Sequence, residues 1–313
     1  MIASLSAAAQ QVNVATPGHG LIELAVVVAM RNGYFRSEGL EIQKIRVAPD
    51  VAVRALIAGE IDISLGWEAS VRAAISGVPI KLVAVTATRP LHFLISRPEV
   101  RSGKDLRGKT LGVDFFSSTT DYLSRVAARF LGVEPDKDVA VVEIGNGTSR
   151  LEALKAGDIH LTAIDVAIAV KMEEEGFKRL VHIGDIIDLP VSGVFVTNAK
   201  LATHKERIKK FIQATLRGAR FIKQNRTDAV RMIQSYLKIL PSQAARAYDS
   251  SLQSFTDDGF VSDRALSLAV RRARESVQIA NEPSLSQVAD WQVLREIMVE
   301  RKKRPFWLRQ YDP

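Results

Sequence analysis

Four consecutive hydroxyl side chains, Ser117, Ser118, Thr119 and Thr120, stand where a helical pattern running to Leu131 begins. The first N–H groups of a helix lack partners within it and carry the positive end of its dipole. Such a place receives a carboxylate, sulfonate or phosphate, and hydroxyls add donors. The plain alternative is an N-cap, which needs only one Ser or Thr. The turn Pro17-Gly18-His19-Gly20 has glycines over which a ligand can approach the backbone closely, with His19 as a hydrogen-bond donor. A tight turn with no ligand role is the alternative. Trp67 and Glu68 close a strand-like run; the tryptophan either lines a planar or aliphatic ligand or is core. Glu68 and Asp165 would oppose a bound anion by several kcal/mol unless they point away or the ligand brings a donor such as an amino group. Arg89 and Arg150 are the best countercharges, with a surface ion pair as the alternative for each. Phe115, Asn146 and Ser192 complete the candidate set from the same kind of loop.

Catalytic spacings are missing from this set. The histidines His19, His92, His160, His182 and His204 show no HExxH or other metal pattern, and only His19 falls in a candidate binding loop. There is no Walker loop and no GxSxG elbow, and Gly18-His19-Gly20 is not GxGxxG. With no cysteine, thiolate chemistry and cysteine-ligated metals are excluded. The residues predict a binding protein with no cofactor and no metal.

The elements that must position these residues follow an alternating pattern. Val12 and Val14 alternate with polar residues, and the apolar stretch Leu21–Met30 reads as a helix closed by Asn32-Gly33. Leu40, Ile42, Ile45 and Val47 read as a second strand. Pro49-Asp50 opens a short helix ending at Gly59, and Ile61–Leu65 is a third strand. This β-α-β-α-β order is that of a parallel sheet covered by helices. The unit returns 98 positions later: Leu56, Ala58, Gly59 and Ile61 become Leu154, Ala156, Gly157 and Ile159. At the same offset Val12–Val14 falls on Thr110–Gly112, Pro17–Gly20 on Phe115–Ser118, and Pro49-Asp50 on Gly147-Thr148. One register serving five elements predicts two lobes of like construction. Gly193–Thr197 reads as a further strand, and the chain from His204 onward is helical by pattern, with helix starts at Thr227, Pro241 and Leu285.

These patterns predict an α/β protein with lobe 1 formed by residues 11–90 and 194–313, and lobe 2 by residues 91–193. Two crossings, each with a proline (Pro90, Pro190), join the lobes. In open α/β sheets the ligand lies beyond the carboxyl ends of the strands, so a cleft between the lobes is the expected site.

The chain's 313 residues, 47% apolar and 25% charged, suit a globular protein with a substantial core. The stretch Leu24–Met30 is far short of the ~20 apolar residues that cross a bilayer. The net charge of +8 is spread among acidic residues, apart from Arg301-Lys302-Lys303-Arg304 beside Phe306 and Trp307, which reads as a solubilising tail or helix end. No nucleic-acid partner is expected. Ser6–Gln10 has the small residues of a signal-peptidase site, with cleavage after Ala9. Residues 1–10 read as the remnant of an export signal whose basic and apolar regions are missing from this chain, with a frayed polar terminus as the alternative.

Several segments carry a family resemblance. Asn32-Gly33-Tyr34-Phe35 followed by Glu38-Gly39-Leu40-Glu41-Ile42 resembles the "G-Y-F-x-x-E-G-L-x-V" segment of solute-binding proteins of ABC importers, in the branch of sulfonate, taurine, nitrate and thiamine-pyrimidine binders. Ala58–Asp62 is similar to its "L-x-x-G-E-x-D", and Asp105–Val113 to its "D-L-K-G-K-x-I-G-V". Val288–Trp291 is similar to its C-terminal helix. The resemblance implies a type II periplasmic-binding-protein fold with two hinge strands. It also implies a monomeric, periplasmic, non-catalytic receptor that captures a small organic anion, a sulfonate or carboxylate, and delivers it to a permease and ATPase. Where many relatives have a small proline-containing loop, this chain has Gly66–Ser70, which leaves room for a larger, aromatic organic acid. Two rivals stay open: a protein of thiamine-pyrimidine precursor binding or synthesis, and a ligand-sensing domain. The synthesising relatives need a cysteine-rich constellation that this chain lacks. The sensor reading is weakened by a first strand that begins by residue 12, leaving no helix-turn-helix ahead of it.

Overall fold

The structure, a computed structural model, describes residues 9–18, 20–279 and 281–303. Among the described residues there are ten strands: β1 (Gln10–Thr16), β2 (Leu40–Arg46), β3 (Ile63–Gly66), β4 (Ile80–Ala87), β5 (His92–Ser96), β6 (Thr110–Val113), β7 (Ala140–Glu143), β8 (Leu161–Asp165), β9 (Lys178–His182) and β10 (Ser192–Thr197). They form two five-stranded sheets, ordered β2-β1-β3-β10-β4 and β7-β6-β8-β5-β9. Among the described residues no helix is long and apolar enough to cross a membrane.

The two sheets follow one plan. In the first, β1 runs parallel to β2 and β3, and β10 lies antiparallel between β3 and β4. In the second, β6 runs parallel to β7 and β8, and β5 lies antiparallel between β8 and β9. The duplicated register is visible in the elements: helix Pro49–Ala58 recurs as Gly147–Ala156, and β3, opening at Ile63, recurs as β8, opening at Leu161. Both helices stop at a glycine with positive φ, +84° at Gly59 and +97° at Gly157, where a side chain would be strained. The exception to the repeat is the fourth strand. The first sheet takes it from late in the chain, the second from its own first strand, so a β-α-β-α-β pattern alone does not reveal it.

The chain divides into two compact units. Unit 1 holds the first sheet and comprises the residues up to Thr88, Leu189–Ile233 and those from Phe255 on; unit 2 comprises Arg89–Asp188 and Gln234–Ser254. In unit 1 the sheet is apolar on both faces. Val194 and Val196 of β10 join Val12, Val14, Phe35 and Phe211 in one core, while Phe195 joins Leu56, Val71, Leu82 and Val270 in the other. Covering both faces in this way buries a near-continuous apolar run, as parallel strands require. In unit 2, Phe93, Leu94 and Ile95 of β5 are wholly buried, as are Leu123, Ala127 and Ala128 of helix Thr119–Phe130. Helix Pro241–Ser251 joins unit 2 through Gln243, whose Nε2 donates to Glu174 Oε2 at 2.6 Å, and through an Arg246–Glu173 ion pair. The basic residues Arg301–Lys303 form the last turn of helix Gln292–Lys303, where cations suit the helix dipole. Arg304, Phe306 and Trp307, and residues 1–8 of the expected signal remnant, lie outside the described residues, whereas Gln10 opens β1.

Candidate functional site

The strand directions bring one titratable residue of each strand to the same edge of unit 2's sheet. The parallel strands deliver Glu143 at the end of β7, Asp114 after β6 and Asp165 at the end of β8. The reversed β5 delivers its first residue, His92, and β9 its last, His182. Three helices start at this edge, and each is capped by a side chain singled out in the sequence. Ser118 Oγ accepts from Asp121 N at 3.0 Å, Asn146 Oδ1 from Thr148 N at 2.9 Å and Ser149 N at 3.1 Å, and Asp165 Oδ1 from Ala167 N at 2.8 Å. The corresponding helices of unit 1 start after Gly20, Ala48 and Gly66, none with a side-chain cap. The repeat thus carries two different chemistries: side chains on unit 2, backbone N–H groups on unit 1.

Part of the donor capacity at the run Ser117–Thr120 is taken up within the chain. Carboxylates of the chain already grip the turn: Phe115 N donates to Asp114 Oδ1 at 2.9 Å, Phe116 N to Glu143 Oε1 at 2.5 Å and Ser117 N to Asp121 Oδ2 at 2.9 Å. Ser118 Oγ also donates to Asp114. Ser117 is held at φ +67°, uncommon for a residue with a side chain. The fastening turns Phe115 and Phe116 outward, and they are 62% and 49% exposed.

Arg150 is the cation of this edge. It lies in the first turn of helix Gly147–Ala156, is 6% exposed, and donates from Nη1 to Gly145 O at 2.8 Å. Its Nε is buried with no hydrogen-bond partner, and among the described residues no carboxylate stands within ion-pair distance. Burial pulls its pKa down and the Asp114 charge pulls it up, though guanidinium stays protonated throughout the physiological range. His92 shares this neighbourhood. Burial chiefly, and then Arg150, lower its pKa to about 4, so the ring is neutral, and its Nδ1 also lacks a partner. Asp165 is pushed up to about 6 by burial, against the backbone N–H groups it accepts from. Arg89 is committed elsewhere, to Asp188 at 3.0 Å.

On unit 1, Trp67 opens helix Trp67–Ile75 and meets Phe195 edge-on, ring centroids 5.7 Å apart, so part of its ring is core. Glu68 pairs with Arg72 at 3.4 Å. Ser192 is buried, accepting from Thr86 Oγ1 at 2.9 Å and donating to Leu65 O at 3.3 Å. Gly20 precedes the turn Leu21–Glu23 in extended conformation. His19 lies outside the described residues.

The family model described as NMT1/THI5 like matches residues 23–229, well over half of the chain. The chain belongs to this family. A curated relative, the riboflavin-binding protein RibY of Chloroflexus aurantiacus, is 28% identical over 204 residues, which are 61% of this chain and 56% of that protein. Two solved structures share the fold. The periplasmic aliphatic sulphonate binding protein SsuA of Escherichia coli is 15% identical with a TM-score of 0.74, over 91% of this chain and 98% of that one. The desulfurization enzyme DSZB is 13% identical with a TM-score of 0.65, over 93% and 99%. The fold of this NMT1/THI5-like chain is thus that of the periplasmic binding proteins.

Within that fold, the candidate residues Phe115, Ser117, Ser118, Thr119, Asn146, Arg150 and Asp165 gather at the carboxyl edge of unit 2's sheet. Trp67, Glu68, Ser192 and Gly20 lie at strand or helix ends of unit 1. The structure adds His92, His182 and Phe116 to this edge, which sequence reasoning did not place there. That reasoning placed only His19 among the binding loops; His92, which opens β5, is seen at the carboxyl edge only once that strand is known to run backwards. Phe116 follows Phe115 directly, and two adjacent aromatics in a loop were a signal available in the sequence.

Proposed function

We propose that this NMT1/THI5-like protein is the solute-binding component of an ABC importer, exported to the periplasm, which binds a small organic acid and delivers it to a permease and ATPase without transforming it. The observation that carries this reading is Arg150, a nearly buried guanidinium with an unpartnered Nε, at the carboxyl edge of a parallel β-α-β unit. A buried cation with no carboxylate at ion-pair distance is costly, and a ligand carboxylate or sulfonate supplies a partner with charge-assisted hydrogen bonds. The sulphonate ligand of SsuA accords with this reading. So does the use of Ser118, Asn146 and Asp165 as helix caps, which leaves them positioning roles rather than nucleophilic ones. The binder acts as a monomer.

A second reading, a nitrogen heterocycle with N–H donors, is favoured by the acceptors at the same edge, Asp165 and the unpartnered Nδ1 of His92, and by the riboflavin ligand of RibY. A thermal-shift panel of sulfonates, aromatic and aliphatic carboxylates, pyrimidines and riboflavin separates the two, since bound ligand raises the melting temperature by mass action. An acid is expected to give the largest shift, and Arg150→Met to abolish it. An acid shift that survives Arg150→Met would reject the assignment of the acid group.

A further inference from the structure

The loop between β6 and helix Thr119–Phe130 combines three features that packing does not require of it. It exposes two adjacent phenylalanines, Phe115 and Phe116, at a cost in apolar surface left in water. It holds Ser117 in a left-handed conformation uncommon for a residue with a side chain. It is fastened at successive positions, with the N–H groups of Phe115, Phe116 and Ser117 each on a carboxylate. A loop merely connecting two elements needs none of this. The fastening keeps the rings from folding back onto the unit.

The loop is also coupled to Arg150. Gly145 N donates to Asp114 O at 3.0 Å, and Arg150 Nη1 donates to Gly145 O at 2.8 Å, so two hydrogen bonds link the residue before Phe115 to the guanidinium. The neighbouring carboxylates do not present bare charge, since Asp114, Glu143 and Asp121 all accept from this loop.

We propose that Phe115 and Phe116 select the ligand: they receive a planar aromatic ring whose acid group is held at Arg150, and they disfavour aliphatic acids of equal charge. This rests on the reading of Arg150 given above and narrows it to aromatic acids. Aromatic faces recognise a ring by stacking or edge contact, whereas a flexible alkyl chain gains less and loses more rotational freedom.

Isothermal titration of the full chain with naphthalene-2-sulfonate and hexane-1-sulfonate, and with 2-naphthoate and heptanoate, tests the proposal. The wild type is expected to bind the aromatic member of at least one pair about tenfold or more tighter than its aliphatic partner. The double variant Phe115→Ala/Phe116→Ala should lose that preference, its affinity for the aromatic member falling to about that for the aliphatic one. Because both side chains are exposed, the variant keeps its fold, which circular dichroism checks. Equal affinities within both pairs in the wild type, or a preference that persists in the double variant, overturns the selection by the phenylalanines. If instead neither class binds, or Arg150→Met leaves binding intact, the underlying reading of Arg150 fails and the proposal falls with it.

Discussion

His92 and Asp165 are register partners across β5 and β8, and burial drives their protonation in opposite directions, His92 down to about 4 and Asp165 up to about 6. The folded protein binds a proton less well at His92 than the unfolded chain does. That contribution to stability is therefore present above pH 6.5 and lost as pH falls towards 4. At Asp165 the folded protein binds the proton better, so its contribution is present below about 4 and lost as pH rises through 6. Between pH 4 and 6 the two slopes oppose each other. Asp165→Asn keeps a cap at helix Val166–Glu174 but removes the falling slope. Its stability should therefore rise with pH more steeply than that of the wild type, by up to about 3 kcal/mol over this range. His92→Gln should do the reverse. Urea unfolding from pH 4 to 6.5 measures both, and parallel curves for variant and wild type would refute the opposition.

Much of this edge was legible in the sequence, because helix caps and strand ends are local events. Ser118, Asn146 and Asp165 could be named from the repeat and from the residue types that follow a strand, and the structure makes each an N-cap. What stayed hidden is non-local. That β5 and β10 insert antiparallel into their sheets depends on pairing between segments far apart in the chain, and only this pairing brings His92 beside Arg150 and Asp114. The hydroxyl run shows a limit of another kind. Its types suggest donors facing a ligand; they do not show that Asp114, Asp121 and Glu143, ordinary acidic residues in the sequence, accept from the N–H groups of Phe115, Phe116 and Ser117 and from the Ser118 hydroxyl.

Gly193 and Trp67 depend on each other. A Cβ at Gly193 would come within 2.5 Å of Leu82 Cδ1, 2.8 Å of Ala84 O and 3.3 Å of Trp67 Cζ3. Gly193→Ala should destabilise unit 1 by about 2 kcal/mol through overpacking and shift the indole. Emission assigned to Trp67, taken as the difference from a Trp67→Phe counterpart, is expected to change in wavelength, and an unchanged difference spectrum would contradict the contact. The same pair of proteins reports on ligand: if Trp67 lines the site, Trp67→Phe loses most of the ligand-induced change in emission.

Glu23 sits 1% exposed in the turn after β1, with Lys44 Nζ 2.7 Å from its Oε2. Removing the ammonium leaves a buried carboxylate without its ion pair, so Lys44→Met should cost about 3 kcal/mol of stability. Adding Glu23→Gln should recover part of the loss, since an amide is less costly to bury than a carboxylate that has lost this ammonium. Denaturant midpoints of the two single variants and the double variant give the coupling, and strictly additive losses would show that the pair does not act as one.

Arg150 supports the sharpest test, because its role in binding and its effect on stability have opposite signs. Its guanidinium is buried, with Nε unpartnered and, among the described residues, no carboxylate close enough for an ion pair. Replacing such a charge by an apolar side chain of similar length is often neutral or stabilising. Arg150→Met should therefore leave the apo melting temperature unchanged or raise it by a few degrees, about what 1 kcal/mol yields in a domain of this size. The same change should remove acid binding. A structural arginine would behave in the opposite way: its loss would lower the apo melting temperature while any ligand shift persisted. Differential scanning calorimetry with and without the bound acid distinguishes the two outcomes in one pair of proteins.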